Sequence, residues 1–391
     1  MITWWGGFVK GTVREVRFLK KSPFPRPSLK NVISMYDIIG KIEKLQSRCA
    51  MDQHVLKTLV QNACPSIAYR IKREILKEDI HSPDMMALQE AILHDPQVMR
   101  ILALAQEDGW LGGTFHGRDE PESGIRYLME KGVESSHPVV RGALTAIENR
   151  GEAFDRGSME RVGKPLDDWR LGGSKLMRAL VFAYAGAEEH EFVRQGIMEA
   201  LEVFAFVLSV RSAEDISVPY KGKLVFRKGA LWPCIYHLRL LAHTQSWRTE
   251  DNSNMLAQAV TRLGELSPIP EIKLLHKGQI ISPASVYMND FNEDLAGLDS
   301  AGWAKWFHRA EMITRLGVAA KVPAVMRQLQ YAAGLAKEGG GFFPLNLRHP
   351  YFTEWSQYMG LALESDWKTK IRRVYDLTFR WLLIQTYAGI G

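Results

Sequence analysis

Ser82-Pro83-Asp84-Met85-Met86-Ala87-Leu88-Gln89-Glu90-Ala91-Ile92-Leu93-His94-Asp95-Pro96-Gln97-Val98-Met99-Arg100-Ile101-Leu102-Ala103-Leu104-Ala105 contains two helix starts in succession. Ser82 and Asp95 are capping residues, and each precedes a proline at the first helical position, where a missing N–H is harmless. Met85, Leu88 and Ile92 then fall on one face, and Val98, Ile101, Leu102 and Ala105 form the next apolar stripe.

The same grammar extends in both directions. Ile67, Ile71 and Ile75 make a row after Pro65, and Val140, Ala143, Leu144 and Ile147 follow His137-Pro138. Later stripes are Val193, Ile197, Leu201, Phe204 and Leu208, then Met255, Ala259 and Leu263. A last helical segment runs from about Trp367 to Tyr387. Strand patterns are almost absent. The exception is Lys223–Arg227, between Gly222 and Gly229, which reads as a hairpin or an extended loop. The expected fold class is therefore all-α. Short helices separated by Gly, Pro, Asp and Ser indicate stacked helical hairpins, and the lack of a strict repeat favours a closed array over an open solenoid.

Residues 1–35 read as a basic arm containing Pro and Gly, and residues 36–391 as a single helical domain. In the arm, Lys10, Arg14, Arg17, Lys20, Lys21, Arg26 and Lys30 stand against Glu15. It is either a solvated extension or a contact for an anionic membrane surface or a phosphate-bearing ligand. The rest of the chain is near neutral, so no nucleic-acid partner is expected. With 46% hydrophobic and 24% charged residues there is ample material for a core. Cys49, Cys64 and Cys234 are too few and too scattered for a disulfide framework or a structural zinc site. The stretch Ala200–Val210 is too short for a bilayer, and no signal-peptide pattern stands at the N-terminus. The expectation is a cytoplasmic protein with peripheral membrane contact left open; the oligomeric state is not indicated.

Arg100-Ile-Leu-Ala-Leu-Ala-Gln106-Glu-Asp108-Gly109-Trp110, followed by a helix over Ser123–Lys131, resembles the glutamine–tryptophan repeat of the terpenoid cyclase and prenyltransferase superfamily. Leu335-Ala-Lys-Glu-Gly339-Gly340-Gly341-Phe342, Pro65-Ser66-Ile67 and Gly173–Leu180 add to the likeness, which covers residues 65–391 unevenly. The resemblance implies an α/α toroid, two concentric rings of antiparallel helices around a cavity, and an isoprenoid substrate folded by carbocation chemistry. It would bring Mg2+ if the substrate is a diphosphate; no other cofactor is implied. Pro165-Leu166-Asp167-Asp168 lacks the first aspartate of the family's Asp-x-Asp-Asp acid, and Leu171 stands where a magnesium-binding Asp-Asp-x-x-Asp needs its last aspartate.

Several groups are candidates for chemistry. Asp167 and Asp168 would act as paired carboxylates, one held protonated as an acid, or as caps at a helix start. Tyr236 and His237, with Arg239 as an anion clamp and Trp232 nearby, would face a cavity or pack in the interior. His116 sits on a loop after Gly112-Gly113 and, with Trp110, is a candidate substrate contact. Trp306, His308, Tyr375 and Asp376 stand in an aromatic C-terminal third suited to a cation-stabilising wall or to an ordinary core. No metal-ligand set is expected. Three functions follow: a terpenoid-cyclase-like lyase or isomerase acting on a hydrophobic substrate, a hydrolase or lyase on a carbohydrate or peptide using a histidine and a carboxylate, and a non-catalytic protein-binding array.

Overall fold

The π-helical turn Ile71–Ile75 continues directly from a short helix, Pro65–Arg70, and places Arg70 and Glu74 on one side of the same segment. The computed structural model describes residues 53–150 and 158–390, so the basic arm and Cys49 lie outside the described residues. Residues 51–391 form one compact unit. In chain order the helices are α1 (53–62), α2 (Pro65–Arg70), α3 (Pro83–Leu93), α4 (Pro96–Leu102), α5 (Pro121–Lys131), α6 (Pro138–Arg150), α7 (Ser158–Asp168) and α8 (Ser174–Tyr184). They continue as α9 (Glu191–Val207), α10 (Ala213–Ile216), α11 (Ile235–His243), α12 (Glu250–Leu266), α13 (Ser300–Arg315), α14 (Pro323–Glu338), α15 (Pro350–Thr353) and α16 (Lys370–Ala388). Of the two expected caps Ser82 and Asp95, Asp95 works as expected, its Oδ1 accepting from the Gln97 and Val98 amides at 2.9 and 3.2 Å, whereas Ser82 precedes α3 without a side-chain cap.

Two kinds of helix alternate. In α3, α6, α9, α12 and α14 only a stripe is buried, such as Val325, Leu329, Ala332 and Ala336 of α14. In α5, α8, α11, α13 and much of α16 burial extends around the helix, and α11 buries every residue from Ile235 to Ala242. A helix buried all round must lie inside, with other helices as its solvent. These inner helices pack in a sequence of neighbours: α5 on α8, α8 on α11, α11 on α13, α13 on α16, and α16 on the π turn. One-sided helices back them, as α9 does against α8, α11 and α12.

The all-α expectation needs one correction, a four-stranded sheet in the order β1 (Ser217–Tyr220), β2 (Lys223–Phe226), β3 (Ile272–His276), β4 (Gln279–Ile281). β1 and β2 pair antiparallel, as do β3 and β4, while β2 and β3 run parallel with Leu224 opposite Ile272. The hairpins turn on Lys221-Gly222 and Lys277-Gly278, all four residues at positive φ, the geometry of a tight two-residue hairpin turn. One hairpin leads into α11 and the other precedes α13, so they leave successive helix pairs at comparable points. That placement lets their inner strands meet in parallel.

At the α7–α8 junction Gly172 adopts φ +86, and a Cβ on Gly173 would fall on the Gly163 carbonyl and the Asp167 side chain. Gly334 lies exposed within α14 with open space around it. Gly173→Ala should therefore lower stability by about 1–3 kcal/mol through overpacking, whereas Gly334→Ala should raise it by about 0.5–1 kcal/mol through helix propensity. Urea unfolding of the two variants measures both signs.

Candidate functional site

Glu122, Arg126 and Glu130 are spaced four apart on α5 and so lie on one face of it. Comparable polar rows occur on the other inner segments: Arg70 and Glu74, Tyr236 and Arg239 with His243, His308 with Glu311 and Arg315, and Arg380 with Tyr387. These rows meet one another. Groups from last turns contact groups from last turns, as Arg315 does Tyr387 and Tyr184 does His243. Groups from first turns likewise meet, with the His116 and Tyr236 rings beside Glu122. The inner helices that carry them thus run in the same direction.

At the C-terminal ends the charges form a closed cycle. Arg70 donates to Glu130 at 2.6 Å and Arg380 to the same carboxylate at 2.9 Å; Arg380 also donates to Glu311 at 2.9 Å. Arg315 donates to Glu311 at 3.0 Å and reaches Glu74 at 3.4 Å, and Glu74 accepts from Arg70 Nε at 2.6 Å. Burial would raise the Glu74 and Glu130 carboxyls, but Arg70 and Arg315 at Glu74, and Arg380, Arg70 and Arg315 at Glu130, pull both well below the usual range. Removing one member would leave each of its two neighbours with a single partner and the buried cycle with an unbalanced charge, which costs about 3–5 kcal/mol.

Halfway along, Arg126 and Arg239 hold a loop across the structure. Arg126 Nη2 donates to the carbonyls of Ser356 at 2.6 Å and Met359, and its guanidinium lies 4.9 Å from the Trp355 ring. Arg239 donates to Gln357 O at 2.6 Å, to Tyr358 O at 3.3 Å and through Nε to His308 Nε2 at 3.0 Å. Since that nitrogen accepts, His308 is neutral with its proton on Nδ1. Burial, followed by Arg239 and Arg126, lowers its pKa well below the ordinary value.

The first-turn end holds a different group. Glu122 is fully buried and neither carboxylate oxygen accepts a hydrogen bond. Its Oε2 lies 3.6 Å from His116 Nδ1, and His116 Nε2 lies 3.5 Å from the hydroxyl of Tyr358, a residue 36% exposed. Tyr236 is buried beside them, its ring centroid 6.3 Å from that of His116 and 6.1 Å from that of Tyr358. Burial raises both tyrosines, so the phenols stay protonated at neutral pH. A carboxylate, an imidazole and a phenol thus stand in line from interior to surface. The separations are longer than hydrogen bonds, as is common before a substrate tightens such a line.

The sequence-derived candidates are distributed unevenly. His116, Tyr236, Arg239 and His308 come together here. His237 points outward instead: its Nδ1 accepts from the Cys234 amide at 3.0 Å and lies 3.1 Å from Cys234 Sγ, while Nε2 is 3.9 Å from Glu199 of α9. Asp167 accepts from the Lys175 amide at 3.1 Å at the start of α8, with Asp168 exposed beside it. Trp110 lies under Arg150, with 3.8 Å between guanidinium and ring, and Trp232 is buried ahead of α11. Trp306 donates to Gln328 at 3.1 Å, on the side of α13 away from His308. Tyr375 is half-buried under Arg372, and Asp376 accepts from the Leu363 and Glu364 amides and from Trp367, tying that loop to α16. Among the described residues no three His, Cys, Asp or Glu side chains are placed to hold a metal ion.

Glu122, Arg126, Glu130 and Tyr358 were missed from the sequence. The i, i+4, i+8 row of charges on α5, starting just after a proline, was the available signal.

Buried histidines make stability fall toward acid. His243, pushed down to about 3 by burial and then by Arg315, resists protonation in the fold, and so does His308, so stability falls as pH drops below their ordinary 6.5. Urea midpoints should fall from about pH 6.5 toward about pH 5, with His243→Gln reducing the slope and His308 supplying what remains. Arg380→Met leaves Glu311 with Arg315 alone and Glu130 with Arg70 alone, so that three buried carboxylates face two guanidinium groups; it should lower stability by about 3–5 kcal/mol at pH 7 in the same measurement.

Comparison with protein families, curated proteins and solved structures finds no match to this chain, so its function is argued from its own residues.

Proposed function

We propose that the inner segments α2 with its π turn, α5, α8, α11, α13 and α16 close into the inner ring of an α/α toroid, with the one-sided helices outside. Three features support this: the order of neighbouring contacts, the common direction of the inner helices, and the link from Arg70 back to Glu130 that joins the first inner segment to the second. A closed ring leaves no terminal pair to cap.

Along the axis of that ring we infer an enzyme that cleaves a carbohydrate by acid–base catalysis, as a hydrolase or a lyase. The observation that carries the reading is Glu122, a buried carboxylate with no hydrogen bond, aligned with His116 and Tyr358 toward the surface. In this reading His116 exchanges a proton with the substrate. Glu122 stabilises the imidazolium as it forms and holds its tautomer, and the exposed Tyr358 ring offers a sugar a flat face and a hydroxyl. The isoprenoid reading calls for an aromatic-lined cavity. The large aromatics instead pack on each other: Trp303 lies 5.2 Å from Trp306 and 5.6 Å from Phe343, and Phe307 lies 5.0 Å from Phe343.

The test is a panel of neutral and uronate-containing oligosaccharides, peptides, prenyl diphosphates with Mg2+, and squalene, with products read by mass spectrometry. Sugar cleavage is expected, with Glu122→Gln and His116→Gln slowing it by about 100-fold or more while circular dichroism is unchanged. A cyclised isoprenoid, a cleaved peptide without sugar cleavage, or sugar cleavage indifferent to both variants would sink the proposal.

A further inference from the structure

A cavity of about 340 Å3 opens at the opposite end of the inner helices from Glu122. Arg70, Glu74, Glu130 and Arg315 of the charge cycle line it, together with Arg73, Arg126, Glu134, Tyr184, His243 and Tyr387. The cycle itself balances, three guanidinium groups against three carboxylates. What remains is Arg73 and Arg126 against Glu134, whose carboxyl burial pushes up. The cavity therefore carries a surplus positive charge. Its effect is visible on His243, which burial and the guanidinium of Arg315 hold neutral, its pKa down at about 3.

Two donors in the lining are left without partners. The Tyr184 hydroxyl and Arg126 Nε are both buried and neither has a hydrogen bond. Burial first, and Glu122 and Glu130 after it, raise the Tyr184 phenol to about 12 despite Arg239 and Arg126, so it remains a donor. Buried donors without acceptors are costly, each by about 1–3 kcal/mol. Here they share one wall of a cavity with a surplus positive charge. An acceptor that is itself anionic satisfies both conditions.

We propose that this cavity is a binding site for a small organic monocarboxylate. Its carboxylate accepts hydrogen bonds from Tyr184 Oη and Arg126 Nε and balances Arg73, while its body, of about the size of one sugar ring or amino acid, fills the remaining volume. A single negative charge matches the single surplus positive one; a phosphate dianion would overshoot it. The site is separate from Glu122, and its test does not depend on catalysis.

Isothermal titration calorimetry on the full chain at pH 8.5 would use sodium glucuronate and sodium lactate as monocarboxylates, inorganic phosphate as a dianion and glucose as a neutral control. At least one carboxylate is expected to bind with Kd of about 1 mM or tighter, with phosphate weaker and glucose silent. Tyr184→Phe keeps the ring against His243, at 4.9 Å between centroids, and removes only the hydroxyl. It should weaken the carboxylate about tenfold. Arg73→Gln alters a side chain 31% exposed at the rim and should also weaken binding, so it serves as the readout should Tyr184→Phe fail to fold. Glu134→Gln should strengthen it. Silence from both carboxylates, phosphate binding more tightly than either, glucose binding equally well, or affinities unmoved by the folded variants would each overturn the proposal.

Discussion

The closed cycle Arg70–Glu130–Arg380–Glu311–Arg315–Glu74 is the constraint on which the rest of the interior depends. It draws its members from four segments distant in sequence, and each charge is satisfied only when those segments are side by side. Buried ion pairs are weak contributors to net stability against apolar replacements, because desolvation offsets most of the attraction. Their effect here is on specificity. A helix slipped by one turn would leave a guanidinium or a carboxylate alone in a dry interior, a far larger penalty than a slipped leucine incurs.

Helix direction explains why the two ends differ in chemistry. When inner helices run parallel, their N-terminal amides gather at one end and their C-terminal carbonyls at the other, and the dipoles reinforce instead of cancelling. Arginines accumulate at the carbonyl end, with Arg315 in the last turn of α13 and Arg380 late in α16. At the amide end the buried charge is Glu122, in the first turn of α5, with the cations of Arg126 and Arg239 deeper in. A carboxylate with no hydrogen bond is tolerable where free amides and cations surround it.

The helical character was legible because capping residues, Pro65, Pro83, Pro96, Pro121, Pro138 and Pro350 at helix starts, and 3.6-residue apolar stripes all agree. The sheet was legible only by half. Lys223–Phe226 carries β-prone residues between glycines, whereas Ile272–His276 is indistinguishable from a buried helical turn unless Lys277-Gly278 is weighed as a hairpin turn. The site was the least legible part. Sequence reading favours conspicuous groups such as Asp167-Asp168 and His237, of which Asp167 and His237 accept backbone amides at helix starts. Glu122 sits in an unremarkable Pro-Glu-Ser-Gly run, and its partner Tyr358 comes from a loop more than two hundred residues away, a proximity no local pattern encodes.

The aromatic residues of the C-terminal third show why composition is a poor guide to a cavity. Their number suggested a wall of rings, but what matters is their phase on the helix. On α13, His308, Glu311 and Arg315 repeat at three- and four-residue steps and face the other polar rows; Trp303 and Trp306 fall on the opposite side and pack toward Phe343 and Gln328. One helix thus presents an ordinary apolar core to one side and a charged row to the other. A helix between two environments must carry two faces, and the face turned to the polar rows is written in the residues that look least like a core.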